Sequence, residues 1–157
     1  MSTWYRAHRA NTIDMVFSGE GGLYVAGRWN YKGRKVIYCS QSISLCTLEW
    51  LSHNGLSVSA FSYNKYSIEI PEKLITRYEE KELPKHWNKS PSIDKTREFA
   101  ESNLFNKTEH AAIAVPSVVI PEEYNLVINP LHKDFCAIQK SIKKIGSYTQ
   151  SVSNIGV

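Results

Sequence analysis

The sequence has few cysteines, no long apolar run and no basic, apolar start. Its three cysteines, at positions 39, 46 and 136, form no close pair, which argues against a disulfide framework and favours a reducing compartment. The longest purely apolar runs, such as Ala111 to Val115, are far shorter than the about 20 residues of a membrane span. Because Met1 to Arg6 lacks the pattern of a signal peptide, we expect a cytoplasmic protein with no membrane partner.

Several familiar chemical motifs are also missing. The glycines at 19, 21 and 22 make no dinucleotide fingerprint, because Tyr24 stands where glycine or alanine is needed. There is no phosphate-binding Gly-Lys-Ser/Thr loop and no Gly-x-Ser-x-Gly nucleophile turn. His132 and Cys136 are spaced as metal ligands but lack a second pair. We therefore expect no metal and no resident cofactor.

The composition is that of one folded domain. With 157 residues, 42% of them hydrophobic, the chain can bury a core without disulfide bonds or a structural metal. We therefore take residues 1–157 as a single domain. The net charge of +4 would attract anionic partners such as nucleotides or an acidic protein. The basic residues are spread along the chain and not striped with aromatics, which argues against direct nucleic-acid binding.

Helical and strand-like patterns alternate irregularly along the chain. Ser42 and Asn54-Gly55 are good start and stop signals for a helix, and Leu45, Leu48 and Leu51 share one of its faces. Other patterns predict strands near residues 3–8, 35–39, 66–70, 74–78, 111–115, 118–120 and 125–129, a loop over 11–22, a short helix from 92 or 94 to about 104, and a last helix with Phe135, Ile138, Ile142 and Ile145 on one stripe, closed by Gly146. From Ser147 onward the pattern is weak. These elements predict an α+β fold with a mixed, mostly antiparallel sheet.

A set of polar residues lies in apolar or turn-rich surroundings. Its members are Arg6, Arg28, Tyr38, Glu49, Ser117 and Asn129. Arginine forks match phosphate oxygens, and a glutamate beside an apolar wall stabilises positive charge on a sugar ring. The set therefore suits a ligand that carries both phosphate and sugar.

The order of short motifs resembles the RES domain. Its first half is matched by Gly27-Arg28-Trp29-Asn30, Gly33, Val36 to Ser40 and Leu48-Glu49, and its second half by Val115-Pro116-Ser117, Pro121-Glu122, Asn125-Leu126, Ile128-Asn129-Pro130 and His132. Leu83-Pro84 and Trp87 resemble the segment between the halves. The resemblance spans about Trp4 to Phe135. The arginine, glutamate and serine that name the family match Arg28, Glu49 and Ser117. Ala26 stands where the family often has glycine, and the match is poor around Phe99 to Asn103 and after Ile145.

The resemblance implies a fold similar to ADP-ribosyltransferase toxins and a toxin that inhibits growth by cleaving NAD⁺ at the nicotinamide–ribose bond. It also implies an Xre-type antitoxin as partner, and a homodimer or a toxin–antitoxin hetero-oligomer. NAD⁺ is then a substrate and not a cofactor.

Roles follow from that resemblance. Arg28 would bind the pyrophosphate, and Glu49 would stabilise the charge that develops on the nicotinamide ribose. Ser117 would hydrogen-bond the nicotinamide amide or the ribose, and Tyr38 would stack on nicotinamide or donate a hydrogen bond. Arg6 would contact phosphate or position Glu49, or else pair with a structural carboxylate.

The roles of three residues in the matched motifs, the acceptor of the ADP-ribosyl group and the alternative functions stay open at this point. Asn129 more simply ties down the backbone before Pro130 and enters only as a possible supporting residue, while His132 and Trp29 look structural. The acceptor of the ADP-ribosyl group is water or phosphate, which makes the enzyme an NAD⁺ glycohydrolase or a phosphorylase. The alternatives are transfer of ADP-ribose to a protein, or a nucleotide-binding module without chemistry.

Overall fold

A computed structural model describes residues 1–54 and 60–151. Seven strands form one sheet: β1 (Ser2–His8), β2 (Ile37–Ser40), β3 (Ala60–Ile70), β4 (Ile75–Arg77), β5 (Ala112–Pro116), β6 (Tyr124–Ile128) and β7 (Lys143–Ser151). Their order is β4-β5-β6-β2-β1-β3-β7. The β4–β5 pair is parallel and the other neighbours are antiparallel. The predicted α+β class with a mixed, mostly antiparallel sheet is confirmed.

The helices are short except for one. They are α1 (Ile13–Val16), α2 (Gly21–Tyr24), α3 (Ile43–Asn54), α4 (Asp94–Ala100) and α5 (Phe135–Gln139). A π-helical turn, Glu101–Phe105, continues α4, and 3₁₀ turns cover Glu72–Leu74 and Glu80–Glu82. The predicted start of α3 is confirmed, because the Ser42 hydroxyl accepts a hydrogen bond from the Leu45 amide at 3.0 Å.

Alternation along the strands sends side chains to both faces of the sheet, and each face has its own core. On the first face, Trp4, Ile37 and Ile128 pack with residues of α1 and α5. On the second face, Val115 and Val127 pack with a larger group made of Trp29, Val36, Leu83, Trp87, Ala100, Leu104 and Ile113. The second face therefore brings the loop around Trp29 against strands β5 and β6.

The last predicted helix is wrong beyond its first turns. It ends at Gln139, and Ile145 and Gly146 lie inside β7. This strand pairs with β3 over almost its whole length, with a bulge between Lys65 and Tyr66. Pairing with an exposed sheet edge thus outweighed the helical spacing of the apolar residues. The weakly patterned stretch from Ser147 to Ser151 belongs to the same strand.

Two smaller expectations also differ from the structure. Residues 118–120 do not form a strand, because the Ser117 hydroxyl accepts hydrogen bonds from the amides of Val119 and Ile120 and turns the chain. The loop predicted over residues 11–22 contains α1 and the start of α2. Among the described residues, no helix combines the length and apolar character that crossing a membrane requires.

Candidate active site

Glu49 projects from α3 toward three neighbouring strands of the second sheet face. Ser40 of β2 lies directly opposite Asn125 of β6, and Val115 of β5 lies opposite the same asparagine. Ser117 follows two residues after Val115, so its side chain points to the same face. The sheet register thus aims Ser40, Asn125 and Ser117 at one place beneath α3.

Two donors hold one oxygen of Glu49. Its Oε1 accepts a hydrogen bond from the Ser117 hydroxyl at 2.7 Å and another from the Asn125 amide nitrogen at 2.5 Å. Its Oε2 has no protein partner among the described residues. The carboxylate, itself half-buried, is therefore anchored through one oxygen and has the other available.

Ser117 is completely buried and has a fully used hydroxyl. It accepts from the amides of Val119 at 3.0 Å and Ile120 at 3.1 Å, and it donates to Glu49. Its backbone amide donates to the carbonyl of Glu123 at 2.8 Å. A serine held in this way fixes the position of Glu49 and presents no surface of its own.

Arg28 lies close enough to Glu49 for their charges to interact. Burial lowers the pKa of Arg28, and the negative charge of Glu49 opposes this effect. The Nη1 of Arg28 donates to the carbonyls of Trp87 at 2.6 Å and Lys89 at 2.7 Å. Its Nε and Nη2 have no protein partner within the described chain. One edge of the guanidinium is thus fixed, and the remaining donors are available to an anion.

The loop that carries Arg28 is built around Asn30, a fully buried asparagine. Its Oδ1 accepts from the Gly27 amide at 2.9 Å and from the Tyr38 hydroxyl at 2.6 Å. Its amide group donates to the carbonyls of Val25 and Tyr31. Burial raises the pKa of Tyr38, so this tyrosine stays protonated and keeps its hydrogen bond to Asn30.

Helix α4 holds the same loop from outside. The Thr96 hydroxyl donates to the carbonyl of Arg28 at 2.5 Å, and Arg97 Nε donates to the carbonyl of Gly27 at 2.9 Å. Arg97 is in turn held by Ser92 at 2.7 Å and Asp94 at 2.9 Å. The backbone of Arg28 is therefore fixed from α4, while its side chain is fixed from the segment around Trp87.

Arg6 follows Trp4 by two residues in β1, so its side chain lies on the first face of the sheet, away from Glu49, and it is engaged by backbone groups. Its Nε donates to the carbonyl of Val16 at 2.9 Å, and its Nη1 donates to that of Tyr38 at 2.8 Å. Burial lowers its pKa. It forms no ion pair with a carboxylate in the described part of the chain. Arg6 thus connects β1 with β2 and α1.

Asn129 lies at the opposite end of β6 from Asn125. Four residues of an extended strand separate two points by about 13 Å. The Asn129 Oδ1 accepts from the Leu131 amide at 3.0 Å, which fixes the turn at Pro130. The nearby His132 is buried and its Nε2 lies 2.9 Å from the carbonyl oxygen of Thr108. The structure thus gathers Arg28, Tyr38, Glu49 and Ser117 and leaves Asn129 apart.

The polar residues that sequence reasoning missed are those that act through another side chain. They are Asn30, Ser40, Thr96, Arg97 and, as a partner of Glu49, Asn125. Asn30, Ser40 and Asn125 were part of the matched motifs, so the motifs were the available signal. The contacts of Thr96 and Arg97 depend on the packing of α4. No group of three or more potential His, Cys, Asp or Glu metal ligands occurs in the described residues.

Comparison with known proteins places this geometry in a family. The model of the RES domain matches residues 3–150. The chain is 33% identical to the Toxin Res of Photorhabdus laumondii over 141 residues, which is 90% of each chain. It is 30% identical to the Toxin Res of Yersinia enterocolitica, covering 90% of this chain and 92% of the relative.

Two further similarities concern a named activity and the fold. A protein of Sphingobium called Prs ADP-ribosylating toxin is 34% identical, over 85% of this chain and 84% of that protein. A chain in the crystal structure of the M. tuberculosis MbcT–MbcA toxin–antitoxin complex superposes with a TM-score of 0.66 at 16% identity, covering 98% of this chain and 86% of that one. The last similarity concerns the fold alone. The match over nearly the whole chain confirms the resemblance stated from the motifs: the protein belongs to the RES domain family.

Proposed function

We propose that this chain is the toxin of a toxin–antitoxin pair and that it cleaves the nicotinamide–ribose bond of NAD⁺. The observation that carries the proposal is that the Glu49 carboxylate and the Arg28 guanidinium lie close enough for their charges to interact, and that each is held by protein groups through one nitrogen or oxygen only. The carboxylate can stabilise a cationic sugar centre, and the guanidinium can bind a pyrophosphate. The names of the curated relatives support the toxin role.

The proposed contacts use the atoms that the protein leaves available. Arg28 binds the pyrophosphate through Nε and Nη2, since its Nη1 is held by two carbonyls. The hydroxyl of Tyr38 is engaged by Asn30, so its ring is the part that would contact nicotinamide. Arg6 is held by backbone carbonyls, and we assign it to fixing the backbone of Tyr38 through its hydrogen bond to the Tyr38 carbonyl.

In the proposed reaction the C–N bond between nicotinamide and ribose breaks, and its electron pair neutralises the pyridinium ring. Because nicotinamide leaves as a neutral molecule, no general acid is needed. Positive charge then builds on the ribose, where the Oε2 of Glu49 stabilises it or accepts a hydrogen bond from a ribose hydroxyl. Ser117, buried behind Glu49, acts as a positioning residue. Water or inorganic phosphate completes the reaction at the ribose carbon and releases a proton.

The decisive test is release of nicotinamide from NAD⁺ by the purified protein, with and without phosphate, beside Glu49→Gln. The variant keeps the size of the side chain and removes its charge. We expect wild-type release and a loss of about 10²-fold or more in the variant. Dependence on phosphate would identify phosphorolysis. Equal rates in both proteins would refute the role of Glu49, and absence of release from folded wild-type protein would refute NAD⁺ cleavage.

A second candidate reaction is transfer of ADP-ribose to a protein. The similarity to the Prs ADP-ribosylating toxin of Sphingobium favours it specifically. The first bond broken is the same, and only the acceptor differs. NAD⁺ labelled in the adenylate part distinguishes the two: protein-bound label after incubation with a cell extract indicates transfer, whereas free ADP-ribose or its phosphate ester indicates cleavage.

The proposed partner is an antitoxin that blocks the site. The structural similarity to a chain from the MbcT–MbcA complex supports a partner of this class, and the family resemblance suggests the Xre type. Co-expression with a cognate Xre-type antitoxin should restore growth and yield a stable complex. Light scattering gives the mass of the isolated protein, which tests the homodimer, and the mass of the complex, which tests the hetero-oligomer.

A further inference from the structure

Asn125 is the second donor to the anchored oxygen of Glu49. Its amide nitrogen lies 2.5 Å from Oε1, and its own Oδ1 accepts from the Ser40 hydroxyl at 2.8 Å. We propose that Asn125, oriented by Ser40, is a positioning residue that directs the Oε2 of Glu49 toward the reacting ribose. This inference rests on the proposed function and assigns it a residue outside the arginine, glutamate and serine of the family name.

The orientation of the Asn125 amide is fixed by chemistry. An ionised carboxylate only accepts hydrogen bonds, so the NH₂ group must face Glu49. The carbonyl oxygen must then face Ser40, whose hydroxyl has a proton to donate. Ser40 is buried, with 5% of its surface exposed, and it lies opposite Asn125 in the β2–β6 register. The sheet therefore fixes the donor that meets Glu49.

Both donors to Oε1 come from rigid parts of the structure. Ser117 is fixed by two backbone amides, and Asn125 is fixed by Ser40 on the neighbouring strand. Two donors on one oxygen define the plane and the direction of the carboxylate. Loss of the Asn125 donor should therefore affect the chemical step more than the binding of NAD⁺, because the pyrophosphate is assigned to Arg28 on a different segment.

Asn125→Asp tests this role with almost no change in shape. The new carboxylate still accepts from Ser40 but has no donor for Glu49, and two carboxylates in contact compete for one proton. We expect kcat to fall about 10- to 100-fold, by analogy with the loss of residues that orient a metal ligand. We expect little change in the KM for NAD⁺. The acidic limb of the pH profile should move to higher pH, because repulsion between two adjacent carboxylates makes the pair of the variant retain a proton.

Ser40→Ala provides a second variant whose folding is less at risk. It removes only the donor that orients Asn125 and replaces a hydroxyl by a hydrogen. We expect a smaller loss of kcat, again at nearly constant KM. Asn106→Asp is the matched control, since Asn106 is exposed and no side-chain hydrogen bond is described for it. This control makes the same change in charge, and we expect wild-type kinetics from it.

The possible results separate this inference from the proposed function. A fall in kcat with a shifted acidic limb in Asn125→Asp supports it. An active wild-type enzyme beside an Asn125→Asp variant with unchanged kcat and pH profile overturns the inference and leaves NAD⁺ cleavage standing. A rise in KM alone also overturns it, because it indicates a role in binding. An inert wild-type protein overturns the proposed function, and the inference falls with it.

Discussion

Replacing Gly27 by alanine should disturb the Arg28 loop through a steric effect. A Cβ atom at this position would lie 2.5 Å from the Asn30 Oδ1 and 2.8 Å from the Tyr38 hydroxyl. Ordinary contact starts at 3.4 Å, so the Asn30 oxygen would have to retreat by about 0.9 Å. It cannot do so cheaply, because Asn30 is buried and makes four hydrogen bonds.

The expected magnitude follows from the cost of overpacking. Inserting a methyl group into a tightly packed site lowers the free energy of unfolding by about 1–3 kcal/mol. For a domain of this length the Tm should fall by roughly 2–12 °C. At the assay temperature, turnover should fall by more than the loss of folded protein alone would cause. The reason is that misplacing a substrate-binding group by about 1 Å reduces turnover about 10²-fold.

Gly21→Ala is the matched control for this prediction. Gly21 begins α2 in the same loop region, and a Cβ atom there meets nothing within 4 Å. Alanine at an unstrained position typically adds about 0.4–1 kcal/mol of stability. Thermal unfolding and nicotinamide release are measured for both variants beside the wild type. If the two variants behave alike in both assays, the steric argument and the assigned role of the loop are refuted.

Three further outcomes follow from the described contacts. Arg28→Lys should raise the KM for NAD⁺ more than it lowers kcat, since an ammonium group cannot serve both the two carbonyls and a pyrophosphate; steady-state kinetics with equal KM values would contradict this. Thr96→Val should raise the same KM, because it frees the Arg28 carbonyl while keeping the shape of the side chain, and a KM equal to the wild-type value would remove Thr96 from this role. In the native protein at pH 8, iodoacetamide should modify the exposed Cys136 only, because burial raises the pKa of Cys39 to about 12 and that of Cys46 to about 11. Mass spectrometry that finds a second adduct without denaturant would show that the core opens.

Local signals predicted the parts of the fold that depend on neighbouring residues in sequence. The cap at Ser42 identified the start of α3. Of the three leucines expected on its buried face, Leu45 and Leu51 are buried and Leu48 is exposed, and Glu49 lies half-buried beside that face. The order of short motifs identified the family, because many weak matches in one order are specific together. Both inferences needed no knowledge of how distant segments meet.

The remaining features depend on long-range pairing. The helical spacing of Phe135 to Ile145 was misleading because the edge of β3 provided a better partner for the residues after Gln139. The contact of Ser40 with Asn125 exists only in one register of β2 against β6. A shift of one strand by one residue would place the two side chains on opposite faces of the sheet. Such contacts are invisible in a sequence read one segment at a time.

The site combines two supports that share no hydrogen-bond partner. Glu49 is fixed by the ends of β5 and β6, through Ser117 and Asn125. Arg28 is fixed by α4 and the segment around Trp87. Distant sites without shared partners behave additively, whereas residues of one network do not. The fold-losses of kcat/KM caused by Asn125→Asp and Thr96→Val should therefore multiply in the double variant. The double variant of Asn125→Asp and Ser40→Ala should lose less kcat/KM than the product of its two single losses. This pattern would distinguish a site assembled from two separate supports from a single cooperative network.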